Sequence, residues 1–190
     1  MEIKDGSGRF PALSMCLAVL VFVCVMATAH TAKSDEKIGS VFSKLAKPFP
    51  APDIAFKDTN GKPVGFIEFR GKVVVLYVWA TWCPICAIDM PDLDRLQGKL
   101  NSKYTAVIPL SIDRGDIRFL HSFYKKKGIR FLQVYQDQDS ILAAVLGIRG
   151  TPTAFLIDRS GIVIGVSEGA MDWNASGVLR SLKKLSRPEK

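Results

Sequence analysis

The chain is poor in the residues that bind metals or cross-link small domains. It contains four cysteines and two histidines among 190 residues. A tetrahedral zinc site usually needs a second pair of ligands beside one pair of spaced cysteines, and the sequence offers none. His30 and His121 are isolated from other ligand types. We therefore predict no metal site. Because 48% of the residues are hydrophobic, a core can form without structural disulfides.

Two of the four cysteines lie within an N-terminal apolar run. If that run is helical, Cys16 and Cys24 are about 12 Å apart, which is too far for a disulfide. We interpret them as small buried hydrophobic residues. Only Cys83 and Cys86 remain for the rest of the chain. Two cysteines with this short spacing do not form a stapled scaffold, so we interpret them as a catalytic pair.

Signals for nucleic-acid binding are also missing. The net charge is +8, but the basic runs 125–127 and 183–184 have no interleaved aromatic residues. We predict that they are solvated helix faces and that nucleic acid is not a partner. A basic surface instead favours acidic membrane lipids or acidic proteins. The sequence contains no internal repeat and no low-complexity tract.

The N-terminus resembles a membrane anchor or an export signal. Residues 11–29 carry no charge, and about 20 apolar residues cross a bilayer as a helix. Lys4 and Arg9 precede the run, and Ala27 and Ala29 have the spacing of a signal-peptide cleavage site. The length of the run favours an uncleaved anchor, with cleavage near Ala29 as the alternative. We predict an anchor or signal segment over 1–30, a tether over 31–47 and a folded domain over 48–187.

The folded part alternates predicted strands and helices. Asn60-Gly61 predicts a hairpin turn between an extended stretch over 49–56 and a strand over 64–69. Further strands are predicted over 73–79, 104–112, 131–135, 153–157 and 162–166. Helices are predicted over 83–99, 116–127, 140–146 and 174–185, with a kink at Pro91. This order predicts an α/β fold with a mixed sheet flanked by helices, an N-terminal β-hairpin extension and one N-terminal apolar helix.

The motif Trp79-Ala80-Thr81-Trp82-Cys83-Pro84-Ile85-Cys86 joins the apolar strand 73–79 to a helix. Its first sulfur falls at the helix N-terminus, where free N–H groups and the helix dipole stabilise a thiolate. We predict that Cys83 attacks and that Cys86, one turn later, resolves the mixed disulfide. Pro84 occupies the first turn, where its missing N–H costs little. Trp82 is predicted to form an apolar rim for substrate, whereas Trp79 is predicted to pack in the core.

Three motifs carry a resemblance to a known family. They are the Trp79–Cys86 motif, Arg149-Gly150-Thr151-Pro152-Thr153, and Phe155-Leu156-Ile157-Asp158-Arg159-Ser160-Gly161. Over residues 48–186 the chain resembles the thioredoxin superfamily, and within it the exported TlpA-like (ResA-type) thiol:disulfide oxidoreductases. The resemblance implies a thioredoxin fold and an enzyme that needs no organic cofactor or metal. It also implies a redox-active disulfide between Cys83 and Cys86.

The resemblance assigns further residues and partners. Pro152 matches a cis-proline that leaves the backbone of Thr151 free to bind a substrate peptide. Asp89 stands where the family usually has Glu, and it either handles the proton of Cys86 or is an ordinary acid near a helix N-terminus. The implied partners are protein thiols and disulfides together with a membrane electron carrier. The implied location is the bacterial inner membrane, with the domain facing the periplasm and serving cytochrome c maturation or copper-site assembly.

The chain departs from the family pattern at two positions. The family usually has proline second between the cysteines, whereas here Pro84 comes first and Ile85 follows. Tyr77 occupies the position of the buried aspartate of thioredoxin. The direction of electron flow is therefore open, with a reductant favoured and an oxidant as the alternative. A copper-binding chaperone is disfavoured, because such proteins use a wider cysteine spacing and a late histidine.

Overall fold

The computed structural model describes residues 37–38 and 41–187. Asp35–Lys190 forms one compact unit, and Met1–Ser34, a second unit, lies outside the described residues. The predicted anchor or signal segment, the apolar helix within it, Cys16 and Cys24 all fall in that second unit. None of the described helices combines the length and the apolar character needed to cross a membrane.

The described residues form a mixed sheet with helices on both faces. The strands are β1 (Lys37–Ile38), β2 (Phe42–Pro50), β3 (Phe56–Lys57), β4 (Pro63–Val64), β5 (Val73–Trp79), β6 (Thr105–Ser111), β7 (Tyr135–Gln136), β8 (Thr153–Ile157) and β9 (Ile162–Glu168). The helices are α1 (Pro84–Lys99), α2 (Ile117–Lys127), α3 (Ile141–Val145) and α4 (Ser176–Leu185), with a 3-10 turn at Phe66–Phe69. The strand order is β1-β2-β9-β8-β5-β6-β7-β3-β4. Strands β5, β6 and β7 are parallel, and the other pairs are antiparallel.

Strand β5 is the centre of the domain, and all seven of its residues are buried. Because side chains alternate along a strand, Tyr77 and Trp79 face the core formed with α1, α2 and α4. Leu76 and Val78 face the second core, which includes residues of α3 and the β3–β4 hairpin. The prediction of a strand buried on both faces is confirmed. The strand ends at Trp79, and residues 80–82 connect it to Cys83.

The predicted tether is wrong for residues 42–47. Phe42–Pro50 forms β2, which pairs antiparallel with β9 and places Ser43 opposite Val166. Phe42 is buried and packs edge-on against Trp173, with 6.1 Å between the ring centroids. Most other side chains of β2 are exposed. The polar composition therefore suggested a tether, although main-chain pairing makes the segment an integral strand.

Two predicted strands are shorter than expected. The segment 64–69 is strand only as far as Val64 and continues as the 3-10 turn. The segment 131–135 contributes only Tyr135 to β7. Before that strand, the buried Asp94 carboxylate accepts backbone N–H groups of Arg130, Phe131 and Leu132. A side chain thus satisfies donors that a strand would have paired.

The hairpin and the four helices are present. Phe56 pairs with Val64, and the connection spans residues 58–62, so it is longer than the predicted two-residue turn. The Asp58 carboxylate accepts the N–H groups of Asn60 and Lys62 within it. Helices α1 to α4 lie within about two residues of their predicted ends. Pro91 lies inside α1.

Candidate active site

The two motif cysteines sit at the start of α1. Cys83 is the N-cap residue, with extended backbone angles, and Pro84 follows in the first turn. The backbone N–H of Cys86 donates to Cys83 Sγ over 3.1 Å. The sulfur therefore occupies the place that a capping oxygen takes in other helices. A negative charge on this sulfur would be stabilised by that N–H and by the helix dipole.

Cys83 and Cys86 form a disulfide. Cys83 is 4% exposed and Cys86 is 0% exposed. The order agrees with the expectation that Cys83 is the more accessible thiol, although Cys83 is more buried than expected from its position at a helix start. An attacking group must therefore approach Cys83 Sγ along a narrow opening.

The loop before β8 closes one side of this opening. The Thr151–Pro152 peptide bond is cis, as the resemblance implies. Thr151 O lies 3.7 Å from Cys83 Sγ. Thr153 Oγ1 donates to Gly150 O, and the N–H of Gly169 donates to Pro152 O, so both ends of the loop are held. Thr151 Oγ1 is buried without a hydrogen-bond partner among the described residues.

The two tryptophans of the motif have different environments. Trp79 is fully buried against Phe123 and Tyr124, which confirms the predicted core position. Trp82 is 67% exposed, directly beside Cys83. Ile85 and Ile88 are also exposed large apolar side chains at the start of α1. Trp82, Ile85 and Ile88 are thus three exposed apolar side chains within five residues of Cys83, and we refer to them as the apolar rim. Pro84 is exposed within it.

Asp89 lies on α1, one turn after Cys86, and it is buried. The hydroxyl of Tyr77, from β5, donates to Asp89 Oδ2 over 2.9 Å. The ring of Tyr77 also packs edge-on against Trp173, with 5.8 Å between the centroids. The sequence placed Tyr77 six residues before Cys83, but it gave no sign that this side chain reaches Asp89.

The ionisation of this pair follows from its burial. Burial raises the pKa of the Asp89 carboxyl above its ordinary value, whereas the Tyr77 hydroxyl, the Trp173 indole and the Met171 backbone act in the opposite direction. Burial and the neighbouring Asp89 charge raise the pKa of Tyr77 far above its ordinary value. Tyr77 therefore remains a protonated hydrogen-bond donor, and Asp89 is the member of the pair that can take up or lose a proton.

Asp113 is a residue of this site that sequence reasoning missed. It is buried just after β6, and its carboxylate accepts the N–H and the hydroxyl of Thr81, both over 2.8 Å. Ser111 Oγ donates to the same carboxylate over 2.7 Å. These bonds fix the turn between β5 and Cys83. Because β5 and β6 are parallel neighbours, their carboxyl ends meet, and Ser111-Ile112-Asp113 at that end was the available signal.

No metal-binding cluster is found in this part of the chain. Among the residues that the structure describes, no group of three or more His, Cys, Asp or Glu side chains could hold a metal ion. His121 has its Nε2 atom 2.9 Å from Thr59 O, remote in sequence from the cysteines. The groups that the structure brings together at this site are the Cys83–Cys86 disulfide, the Asp89 and Asp113 carboxylates and the exposed apolar side chains at the start of α1.

Comparison with known proteins identifies the family. The Redoxin family profile matches residues 46–182. The chain belongs to the Redoxin family. Among curated relatives, the thiol-disulfide oxidoreductase ResA of Bacillus thuringiensis subsp. konkukian is 34% identical over 119 residues, which cover 63% of this chain and 68% of the relative. The ResA of Geobacillus thermodenitrificans is 29% identical over 163 residues, which cover 86% and 87%.

Two solved structures agree with this assignment. A thiol:disulfide interchange protein of the thioredoxin family from Chlorobium tepidum superposes with a TM-score of 0.61 at 28% identity, covering 75% of this chain and 99% of that one. The exposed lipoprotein thioredoxin Etrx1 of Streptococcus pneumoniae gives 0.60 at 28% identity, covering 70% and 100%. The predicted thioredoxin fold and the predicted enzyme class, a thiol:disulfide oxidoreductase, are confirmed.

Proposed function

We propose that this Redoxin-family protein is an exported, membrane-anchored enzyme that reduces disulfides of specific proteins through Cys83 and Cys86. The observation that carries the proposal is the hydrogen bond from the Cys86 N–H to Cys83 Sγ at the start of α1. That geometry favours the thiolate form of Cys83. An attacking thiolate next to a second buried thiol is the minimum required for two-electron exchange with a disulfide.

The reaction proceeds in two steps. The Cys83 thiolate attacks one sulfur of the partner's disulfide, so a Cys83–partner bond forms and the partner's other sulfur leaves as a thiolate that takes a proton from water. Cys86 then loses its proton, and its sulfur attacks Cys83 Sγ. The Cys83–Cys86 bond forms while the bond to the partner breaks. The partner gains two electrons, and this protein becomes oxidised.

Asp89 is the proposed proton acceptor for Cys86. It lies one turn along the same helix, and burial raises the pKa of its carboxyl toward the range useful for proton transfer. Cys86 has no exposed surface, so its proton cannot pass directly to bulk water. A carboxylate on the same helix face supplies a route.

Four residues are proposed to bind the partner. Trp82 and Pro84 are exposed beside Cys83 and offer apolar contact. Thr151 and Pro152 line the other side of the opening, where the Thr151 backbone can pair with an extended peptide. A cystine flanked by apolar residues would match this rim.

The location and the electron source are proposed on the basis of the resemblance. The domain is proposed to face the periplasm, held at the bacterial inner membrane by residues 1–30, with a membrane electron carrier restoring the dithiol. Apocytochromes c and copper-site thiols are the proposed substrates. Separating membranes with alkaline carbonate and measuring the mass of the mature N-terminus tests the anchor. A soluble product beginning near His30 would contradict it.

The midpoint potential of the Cys83–Cys86 pair tests the direction of electron flow. A value of about −250 mV, together with reduction of insulin, is expected for the proposed reductant, whereas a value of about −120 mV would identify an oxidant. Cys83→Ser should abolish exchange. Retention of exchange by that variant, or tight copper binding without exchange, would overturn the proposal.

A further inference from the structure

We propose that Tyr77 is a positioning residue for the resolving step, and that its hydroxyl holds the Asp89 carboxylate ready to accept the Cys86 proton. This inference rests on the proposed function of Cys83, Cys86 and Asp89. It adds a residue from the central strand whose proposed effect on the reaction is through Asp89 and not on either sulfur directly. The geometry that supports it is the 2.9 Å hydrogen bond between Tyr77 OH and Asp89 Oδ2.

The position of Tyr77 is rigid. It lies in the middle of β5, which is paired on both sides, with Pro109 of β6 opposite it on one side and Ala154 of β8 on the other. Its side chain is fully buried, and Trp173 packs against the ring. The oxygen of a hydroxyl held in this way stays in one place, so its hydrogen bond favours one rotamer of Asp89.

The surroundings of Asp89 make this hydrogen bond important. The Tyr77 hydroxyl from β5 donates to the carboxyl, the Met171 backbone in the segment before α4 lowers its pKa, and the Trp173 ring packs against Tyr77. None of these carries a charge. On α1 itself, Asp92 is engaged by Arg95 and Asn174. A buried carboxylate without a cationic neighbour depends on its hydrogen bonds to ionise.

The consequence is a balance between two requirements. Burial raises the pKa of Asp89 and makes it a better acceptor, while the Tyr77 hydrogen bond keeps enough of it ionised to act. Because the pKa of Tyr77 lies far above its ordinary value, this residue donates at every pH at which the protein works. During resolution the Cys86 proton passes to the Asp89 carboxylate, and the Cys86 sulfur displaces the partner's sulfur from Cys83. Tyr77 keeps its own proton throughout.

The test uses the full-length reduced protein carrying Cys16→Ser and Cys24→Ser, so that only two thiols react. Ellman's reagent then gives two phases of thionitrobenzoate release. The first phase reports attack by Cys83, and the second reports resolution by Cys86. The rate of the second phase is measured as a function of pH in Tyr77→Phe, Asp89→Asn and the double variant. Tyr124→Phe is the matched control, because it removes another buried hydroxyl, which donates to Gln133 O.

Tyr77→Phe is expected to move the midpoint of the second phase upward by roughly half to one pH unit, because a lost hydrogen bond raises the pKa of Asp89. One unit below the wild-type midpoint, resolution should be about three- to tenfold slower. The first phase should not change. Tyr124→Phe should leave the midpoint in place, and the double variant should behave like Asp89→Asn.

A second variant guards against a folding defect in Tyr77→Phe. Site-specific 3-fluorotyrosine at position 77 keeps the shape of the ring and makes the hydroxyl a stronger donor, so the midpoint should move downward. An unchanged midpoint in both variants, or an equal shift in Tyr124→Phe, would overturn the role of Tyr77. Absence of any second phase in the wild-type protein would instead overturn the proposed exchange chemistry.

Discussion

Asp113 shows how one side chain can organise the site without touching a sulfur. Its carboxylate accepts three hydrogen bonds, two of them from Thr81, and Thr81 lies two residues before Cys83. The turn that leaves β5 is thereby fixed on the neighbouring parallel strand. Removal of Asp113 would leave the N–H and hydroxyl of the half-buried Thr81, and the hydroxyl of the buried Ser111, without their acceptor.

We expect Asp113→Ala to lower the free energy of unfolding by about 1–3 kcal/mol. Attack by Cys83 should also slow by about tenfold, because the helix start loses its alignment. Urea unfolding and the first phase with Ellman's reagent measure the two effects.

Asp137→Ala is the matched control: Asp137 is also buried and accepts N–H groups of Ile141 and Ala143, remote in sequence from the cysteines. It should lose stability and keep its exchange rate. An equal slowing of exchange in both variants would contradict this prediction.

Asp89 is expected to reduce stability at neutral pH. Its folded-state pKa lies above the ordinary value of 3.8, so between these two values the folded protein binds more protons than the unfolded chain. Stability therefore falls as the pH rises through this window. Asp89→Asn should unfold at higher urea than the wild type at pH 7, and this advantage should shrink as the pH approaches 3.8.

The exposed Asp116 makes stability depend on pH in the opposite direction from Asp89. The Arg118 side chain holds its pKa at about 2, so the wild type gains stability as the pH rises above that value. Asp116→Asn should thus lose this gain at pH 7, where Asp89→Asn gains stability. If the unfolding free energies of the two variants, relative to the wild type, changed in the same direction as the pH rises, the assignment of Asp89 as a buried acid with a raised pKa would be wrong.

Among the elements, strand β2 contributes more than its sequence indicates. One end of it carries Phe42, which is buried against Trp173, and the other end carries the exposed Phe49. Phe42→Ala should cost about 3 kcal/mol in unfolding free energy, because it opens a cavity in the main core. Phe49→Ala, on the same strand, should cost less than about 1 kcal/mol. Urea unfolding measures both losses. If Phe42→Ala cost as little unfolding free energy as Phe49→Ala, β2 would be held by its backbone alone.

Sequence patterns identified the elements whose side chains face a core. The unbroken apolar run of β5 and the amphipathic pattern of α2 were clear because burial selected those residues. Strand β2 was missed because main-chain pairing with β9, more than a hundred residues away, holds it while most of its side chains face solvent. Sequence patterns missed two sets of hydrogen bonds, the one that Tyr77 donates to Asp89 and those that Thr81 donates to Asp113. These bonds join separate elements, and no local pattern records such contacts.

For the molecule as a whole, charge is the property that the sequence alone determines. A net charge of +8 should speed encounters with acidic partners and should be screened by salt. We expect exchange with an acidic protein disulfide to slow at least severalfold between about 50 and about 500 mM salt, because added salt shortens the distance over which the two charges attract each other. Exchange with hydroxyethyl disulfide, which is uncharged, should not change. Equal salt dependence for both substrates would rule out steering by charge.

The aromatic contact between Phe42 and Trp173 links the first long strand to the proposed proton acceptor. Trp173 packs against the rings of both Phe42 and Tyr77, and the Tyr77 hydroxyl donates to Asp89. Any shortened version of the chain that starts after Phe42 would lose the ring that packs against Trp173. The redox properties measured on such a fragment would then differ from those of the full chain, because the surroundings of Tyr77 and Asp89 would have changed. The first residue of a fragment therefore affects its catalysis.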